Sequence, residues 1–599
     1  MALVPLAGLT LGAASLQGQA DQPTPEEEAT ITYQGDFHLT PPRSAPPTVR
    51  AEDPEERGNL YNINMLVVVG DRREVYNLPN WDHYENEALY HPMSEADIES
   101  FRQRILKDLQ DQGYIFATVS VYRPSLVQGF LKLRVHVGEL GQVTVRGNRF
   151  RSAEQILRQM EWNTGQEFDY STLFNRLYTL NANPSMQVQS QLRPRQEADG
   201  RRVIDADITV EERWPLSGAL TISNDGSMET SEWRARLALQ WYNPLKLDDT
   251  LGIEWFTSPR EISDVNAFNA SYVVPFQERY QLSLFGGYSK TDLENVLPQL
   301  DLIGKGYFTG ASVHRNLWDS ATASLDMAVG WMFMSTENRV LLGAFDDNGE
   351  PTDTQQERYK VDMSIPRISM SFANKDWDDL GGRNYITNTM MFHFAGSFGA
   401  SGSGDFKNIN RNSNGSFFIN RFQYARFQKL WGQPDDTGSL SLFTRFDAQL
   451  ASASLPTSMQ KALGGQDTVR GYFEREVAGD QGVNFTAELR TPLLANFIRG
   501  LQRDEEFLRS NPDWWGVHRL QAVAFFDAGV VSYRDRLTDT DGGNLPGQLK
   551  SVSMYSIGAG LRMTFTRYSQ LRLDYGYPLK TTPDRPKNGR LHFGGQLQF

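Results

Sequence analysis

One arginine stands at the centre of a glycine-rich stretch, Leu463-Gly464-Gly465-Gln466-Asp467-Thr468-Val469-Arg470-Gly471-Tyr472. A guanidinium can hold a carboxylate through two parallel hydrogen bonds, a geometry that a lysine ammonium cannot supply. Gly464, Gly465 and Gly471 let the backbone reverse tightly around it. Taken alone, an arginine between valine and glycine in a loop reads as a solvated surface charge. Its meaning depends on what surrounds it. The rest of the chain offers no competing chemistry. The eight histidines are scattered, without His-x-x-x-His or a His/carboxylate cluster of metal spacing. There is no Gly-x-Ser-x-Gly elbow, and zero cysteines exclude disulfides, cysteine metal sites and thiol catalysis. No catalytic residue, metal ligand or cofactor is expected.

The elements that must position such a loop follow from length and pattern. At 599 residues the chain can hold several small domains or one large β-structure with modules attached. Aromatic content is 12%, yet mean hydropathy is −0.49. No apolar run of about 18 residues follows position 20, so no transmembrane helix is expected. A polar average rich in aromatics suits a soluble β-protein or an outer-membrane barrel, whose lipid-facing and lumen-facing residues cancel in any window average. A formal net charge of −14 without a basic patch argues against nucleic acid as partner.

Residues 1–20 are small and apolar and end in Gly18-Gln19-Ala20, the form of a signal-peptidase site without a basic start, and read as a truncated signal peptide. Residues 21–58 carry seven prolines and the run Glu26-Glu27-Glu28, a composition expected of an extended linker.

Two modules of the same element order follow. In residues 59–138, a strand at 61–69 and a helical stretch at 77–90 precede a helix that Ser94 caps with Asp97, burying Ile98, Phe101, Ile105 and Leu109. Strands at 114–122 and 130–137 close the unit, with Leu131, Leu133, Val135 and Val137 on one face. In residues 139–213, a strand at 142–146 leads to a helix with the capping box Ser152/Gln155. A second helix, opened by Asp169, buries Leu173, Leu177 and Leu180 before strands at 186–192 and 203–210.

From residue 214 to 599 the helical period vanishes. Sixteen alternating segments take over, at 216–224, 232–242, 250–258, 266–275, 279–288, 303–314, 321–334, 358–372, 385–399, 415–430, 438–451, 481–491, 518–531, 551–566, 568–578 and 590–599. About ten residues suffice for a tilted strand to cross an outer membrane. Trp233, Ala235, Leu237, Leu239 and Trp241 share one face and Arg234, Arg236 and Gln240 the other. A β-sandwich would alternate too. The even strand number, aromatics at strand ends and a last strand carrying Leu591, Phe593, Leu597 and Phe599 favour a barrel. Short connections such as 276–278 and 566–567 alternate with long ones at 335–357, 400–414 and 532–550. The glycine-rich arginine loop lies in 452–480, the sixth long connection.

Two β-α-α-β-β units, sixteen strands and Val469-Arg470-Gly471-Tyr472 in that loop resemble TpsB, the outer-membrane transporter of two-partner secretion. The resemblance covers about residues 58–599. It also rests on Asn243-Pro244-Leu245, Asp249-Thr250-Leu251, Phe526-Asp527-Ala528-Gly529 and Tyr575-Gly576-Tyr577-Pro578-Leu579. It implies a mainly β fold, a 16-stranded antiparallel transmembrane barrel preceded by two α+β POTRA domains. It further implies a bacterial outer-membrane location with the POTRA domains in the periplasm. The implied partners are a secreted, TpsA-like exoprotein unfolded in transit, outer-membrane lipid, and the barrel assembly machinery for the chain's own insertion. An assembly or insertion factor of the same superfamily is the alternative, and a passive porin a third.

In that family the loop folds into the lumen and its arginine meets an aspartate on the barrel wall. Alternation allows this here. Gln521, Phe525, Asp527 and Gly529 share the face opposite Ala522, Ala524 and Phe526, so Asp527 points inward. Asn484, Thr486, Glu488 and Arg490 share a face, making Glu488 a second acceptor, and Arg445 and Asp447 are further lumen residues. Two features depart from the family. Residues 21–40 hold two prolines and no apolar stripe in place of an amphipathic plug helix, and the connection 497–517, with Trp514 and Trp515, is long for a periplasmic turn.

Overall fold

A computed structural model describes residues 60–599 except 182, 184, 198–200, 228–230, 261, 263–264, 277–279, 298–299, 321, 346–350, 432–438, 493, 495–515, 535–549, 567 and 583–587. The signal-like segment 1–20, the linker 21–58 and nearly all of the connection 497–517 therefore lie outside the described residues. The chain divides into two compact units, with the boundary between Pro215 and Leu216.

The first unit contains both small modules. Module one runs β1 (Met65–Gly70), α1 (Arg72–Tyr76), α2 (Trp81–Tyr90), α3 (Glu95–Asp111), β2 (Thr118–Val121) and β3 (Phe130–His136). The sheet order is β1-β3-β2, with β1 parallel and β2 antiparallel to the central strand. Ser94 and Asp97 form a reciprocal capping box at the start of α3. The four apolar residues of α3 pack with Leu131, Leu133, Val135 and Val137 in one core. Helix α1 escapes the sequence reading because it is a single turn.

Module two runs β4 (Glu139–Arg146), α4 (Ala153–Gln159), α5 (Tyr170–Asn181), β5 (Met186–Gln196) and β6 (Arg202–Glu212). Its sheet repeats the arrangement as β4-β6-β5, and Ser152 and Gln155 cap α4 as their spacing predicts. The modules meet through Phe116 and Phe168, whose ring centroids lie 5.2 Å apart.

The second unit is a closed antiparallel barrel of sixteen strands. Its first half is β7 (Leu216–Ser223), β8 (Arg234–Tyr242), β9 (Thr250–Thr257), β10 (Val265–Phe276), β11 (Tyr280–Leu297), β12 (Leu300–Asp319), β13 (Ala323–Phe345) and β14 (Pro351–Asn374). Strands β15 (Gly382–His393), β16 (Phe417–Trp431) and β17 (Leu440–Ala451) follow, with the short helix α6 (Ser403–Ile409) between β15 and β16. A small inner hairpin, β18 (Lys461–Leu463) and β19 (Val477–Gly479), is not part of the wall. The wall resumes with β20 (Gln481–Arg490), β21 (Val517–Ser532), β22 (Ser551–Phe565), β23 (Ser569–Pro578) and β24 (Arg590–Gln598). Pairing of β24 with β7 closes the ring.

Every segment predicted from alternation is a wall strand, but the lengths differ. Residues 335–357, expected as a polar loop, are largely strand, because β13 and β14 run on as one long hairpin to Phe345 and Pro351. Arg358 pairs with Glu337 across the two strands and Arg339 pairs with it along β13, so charged residues stand there in place of the regular apolar alternation by which a strand is usually recognised. The outer face of the barrel exposes Trp241, Ile253, Phe268, Leu284, Val329, Ile368 and Ile557, an apolar surface suited to lipid. No described helix is long and apolar enough to cross a membrane.

Candidate functional site: a loop latched inside the barrel

The polypeptide between β17 and β20 turns into the barrel. Its two ends are tied to one buried carboxylate. Asp480 accepts the Leu455 amide at 2.9 Å and the Gln460 side chain at 3.2 Å on one oxygen, and the Arg534 amide at 2.9 Å on the other. Hairpin β18/β19 then carries the loop inward. Gly464, Gly465 and Gly471 all have positive φ, 103°, 101° and 91°, the left-handed region that other residues enter only with strain. Leu463, Val469 and Tyr472 pack on Val531 and Met554 of the wall, giving the tip a small apolar core.

Arg470 is 1% exposed, and its guanidinium is spoken for on every side. Nε donates to Asp527 Oδ2 at 2.7 Å and Nη2 to Asp527 Oδ1 at 2.8 Å, the two-pronged geometry reserved to arginine. The Arg470 backbone amide adds a third bond to Asp527 at 3.1 Å. Nη1 donates to Glu488 at 2.6 Å and more distantly to Asp574 at 3.4 Å. The guanidinium carbon lies 3.5 Å from the centroid of the Phe525 ring, so the flat cation is stacked as well as paired.

Neighbouring atoms of the tip are fixed too. The Gly471 amide donates to His592 Nε2 at 2.9 Å. The Tyr472 hydroxyl lies 3.0 Å from the Tyr555 carbonyl and 2.7 Å from the Lys580 carbonyl.

Two of the three wall acids, Glu488 and Asp574, are held in turn by wall arginines. Arg490 pairs with Glu488 at 2.8 Å, Arg562 with Asp574 at 2.6 Å and with Glu488 at 3.3 Å, and Arg572 with Asp574 at 2.7 Å. Arg572 also donates to the Gln466 carbonyl at 3.0 Å, and Arg445 donates to the Asp467 carbonyl, so the wall grips loop backbone as well as Arg470.

Register explains why these side chains converge. Thr486 faces Asp527, Glu488 faces Phe525, and Asp574 lies between Gly560 and His592 across adjacent strands. All point to the lumen because the period of two carries through each ladder. Glycines supply the room. A Cβ at Gly560 would fall 1.9 Å from an Asp574 carboxylate oxygen, and one at Gly558 would fall 2.2 Å from the Phe525 ring.

The structure thus brings Val469, Arg470, Gly471, Tyr472, Asp527 and Glu488 into one buried cluster. Arg445 and Asp447 pair with each other at 2.9 Å, and Arg445 also donates to the Asp467 carbonyl of the loop. Phe525, which alternation sets on the inner face beside Asp527, completes the cluster together with Asp574, Arg562, Arg572 and His592, four residues that the sequence reading misses. Alternation of Leu571, Leu573 and Tyr575 against Arg572 and Asp574 along β23 is a signal that could have found two of them. Among the described residues no group of three or more His, Asp or Glu could hold a metal ion. The arrangement is suited to holding a loop in place by charge.

Comparison with known proteins gives a consistent picture. The profile of the family described as haemolysin secretion/activation protein ShlB/FhaC/HecB matches residues 204–342 and 384–545. The outer membrane transporter CdiB of Dickeya dadantii (strain 3937) is 22% identical over 402 residues, covering 64% of this chain and 65% of its own length. In fold, the chain is similar to CdiB from Escherichia coli, with a TM-score of 0.68 at 18% identity, covering 93% of this chain and 94% of that one. CdiB from Acinetobacter baumannii aligns with a TM-score of 0.65 at 13% identity, covering 98% of this chain and 96% of that one.

Proposed function

The chain belongs to the haemolysin secretion/activation protein family, and from that premise we propose that it is an outer-membrane pore for two-partner secretion. Its two α+β modules act in the periplasm as POTRA domains, with boundaries near 59–138 and 139–213. They receive an unfolded, β-forming exoprotein, which passes through the barrel to the cell surface. Strand β5 pairs only with β6 among the described residues, leaving an edge to which an extended segment can add. The surrounding lipid and the assembly machinery that inserts the barrel are its other partners.

The observation that carries this reading is the loop at 452–480, which lies within a closed barrel and is latched there by Arg470 on Asp527 and Glu488. The tip also has a small apolar core of Leu463, Val469 and Tyr472. Here a single arginine takes the central place, and a charge latch can exchange partners when a polypeptide enters. The chain carries out no covalent chemistry in this scheme, so direction comes from folding of the cargo outside. Family membership favours this reading over an assembly factor of the same superfamily.

The test is export of a TpsA-like exoprotein, in cells with and without the chain. Surface delivery that requires the chain supports the proposal. Delivery that is unchanged when the gene is deleted refutes it.

A further inference from the structure

The inner wall of the barrel has two chemistries. One side, formed by β20 to β24, carries the charges described above. The opposite side carries a run of methionines. The ladders place Phe308, Met334 and Met363 in one row across β12, β13 and β14, and Met332 and Ile365 in the next. Met391 continues the surface on β15. All are buried, and they form a single apolar cluster.

These positions share the lumen-facing register of the wall, while Val329 and Trp331 on the same strand are exposed on the outer face. Sixteen methionines occur in the chain, and four of them converge here in a lumen that is elsewhere lined by Arg234, Arg236, Glu254 and the latch network.

What covers this surface at rest is not wall. Phe406 from helix α6 and Leu455 and Met459 from the base of the inward loop pack on it. Besides the bond of the Leu455 amide to Asp480, several hydrogen bonds hold these covers. Asn410 donates to the Leu455 carbonyl at 3.2 Å, Gln449 to the Met459 carbonyl at 2.9 Å, the Ser401 amide to the Asp362 carbonyl at 2.9 Å, and the Asp362 amide to the Ser401 hydroxyl at 3.0 Å. The latched loop therefore spans the lumen, its tip on the charged wall and its base on the apolar one.

We propose that the methionine wall is the surface on which a chain in transit rests, and that its ligand is an extended polypeptide with alternating apolar side chains. This rests on the transport reading above. Closure of the barrel restricts an occupant to something that travels along its axis. An extended strand presents alternate side chains to opposite sides, so an apolar face on the methionine wall turns a polar face toward the charged wall. Methionine is flexible and polarisable and accepts many partners, which suits a surface that must pass a long and varied sequence without binding any part of it tightly. Phe406, Leu455 and Met459 are resident stand-ins that an incoming strand displaces.

The experiment uses the full-length protein in planar bilayers. The probes are a synthetic peptide of alternating valine and threonine and a length-matched peptide of alternating serine and asparagine, each added from the long-loop side. The valine/threonine peptide is expected to block the current in long events. Replacing Met334, Met363 and Met391 together by Gln is expected to shorten those events by about tenfold, equivalent to about 1.4 kcal/mol. Equal blockade by the serine/asparagine peptide, or unchanged events in the triple variant, overturns the proposal. If the triple variant does not insert, Phe406→Ala decides. It uncovers the wall, so capture events should become several-fold more frequent, and an unchanged or lower frequency overturns the proposal. Exoprotein export, measured in the same strains, keeps the two readings apart. Normal peptide blockade without any export by wild-type protein sustains the wall and sinks the transport reading.

Discussion

Gly576 on β23 and Gly471 at the loop tip meet backbone to backbone. A Cβ at position 576 would fall 2.5 Å from the Gly471 nitrogen and 2.7 Å from the Arg470 carbonyl carbon, distances that no neighbour can absorb without moving. Gly576→Val is therefore expected to form a barrel but to push the tip away from the wall. Heat-modifiable migration on a gel should stay normal, while proteolytic cutting within 464–474 should rise steeply. A loop that remains as protected as in the wild type would mean that the tip does not seat against β23.

Arg470→Lys tests whether the latch needs a fork or only a charge. Each charge-assisted hydrogen bond is worth about 1.5–3 kcal/mol, so losing one of the two to Asp527 shifts loop occupancy by roughly tenfold or more. The lysine variant is expected to resemble Arg470→Ala in channel openings and in lost export. Full export by Arg470→Ala would remove the loop from the mechanism.

Tyr472→Phe removes a hydroxyl within bonding distance of two wall carbonyls while leaving the arginine in place. A cost of about 1 kcal/mol is expected, because each neutral hydrogen bond contributes modestly. Brief openings should become about fivefold more frequent, without loss of the closed state. An opening record identical to the wild type would show that the arginine alone sets the position of the tip.

The modules should respond to pH through two carboxyl groups of opposite sign. The Ser94 amide and hydroxyl hold Asp97 below the usual carboxylate range, so its stabilisation is complete above the unfolded pKa and is lost as pH falls through the lowered value. Burial, and then the Glu74 carboxylate, push Glu167 up, so stability present at low pH is lost as pH rises through the raised value. Asp97→Asn should lower the melting temperature of the helical signal at neutral pH and weaken its acid dependence. Glu167→Gln should raise the neutral-pH melting temperature, and circular dichroism of the full chain in detergent checks both. Ser94→Ala, which removes the cap, should cost about 1 kcal/mol.

Much of this molecule is legible in its residue pattern, for definite reasons. A strand that crosses lipid must alternate, and that constraint marks all sixteen wall segments. Capping boxes are local, so Ser94/Asp97 and Ser152/Gln155 announce their helices without tertiary context. The same alternation along β21 puts Asp527 on the inner face, and along β20 it does so for Glu488. Where lipid no longer imposes strict alternation the signal fades, which is why the extensions of β13 and β14, with Glu337-Asn338-Arg339 and Gln355-Gln356-Glu357-Arg358, read as loop. Alternation along β23 marks Asp574 as inward, but its meeting with Arg470 and His592, like the assembly of the methionine wall, depends on which strands are neighbours and in what register. No single strand carries that information.

The charge network around Arg470 has a consequence for the empty wall. Glu488, Asp527 and Asp574 carry three negative charges, and Arg490, Arg562 and Arg572 carry three positive ones. When Arg470 withdraws, the surface it leaves is electroneutral. Breaking a buried pair is usually penalised by the uncompensated partner that remains, and here that partner is Asp527, which among the described residues pairs with Arg470 and not with the wall arginines that hold Glu488 and Asp574. An unlatched pore would thus carry no net charge from these six side chains, and a passing polypeptide would meet paired charges at Glu488 and Asp574 and a released carboxylate at Asp527.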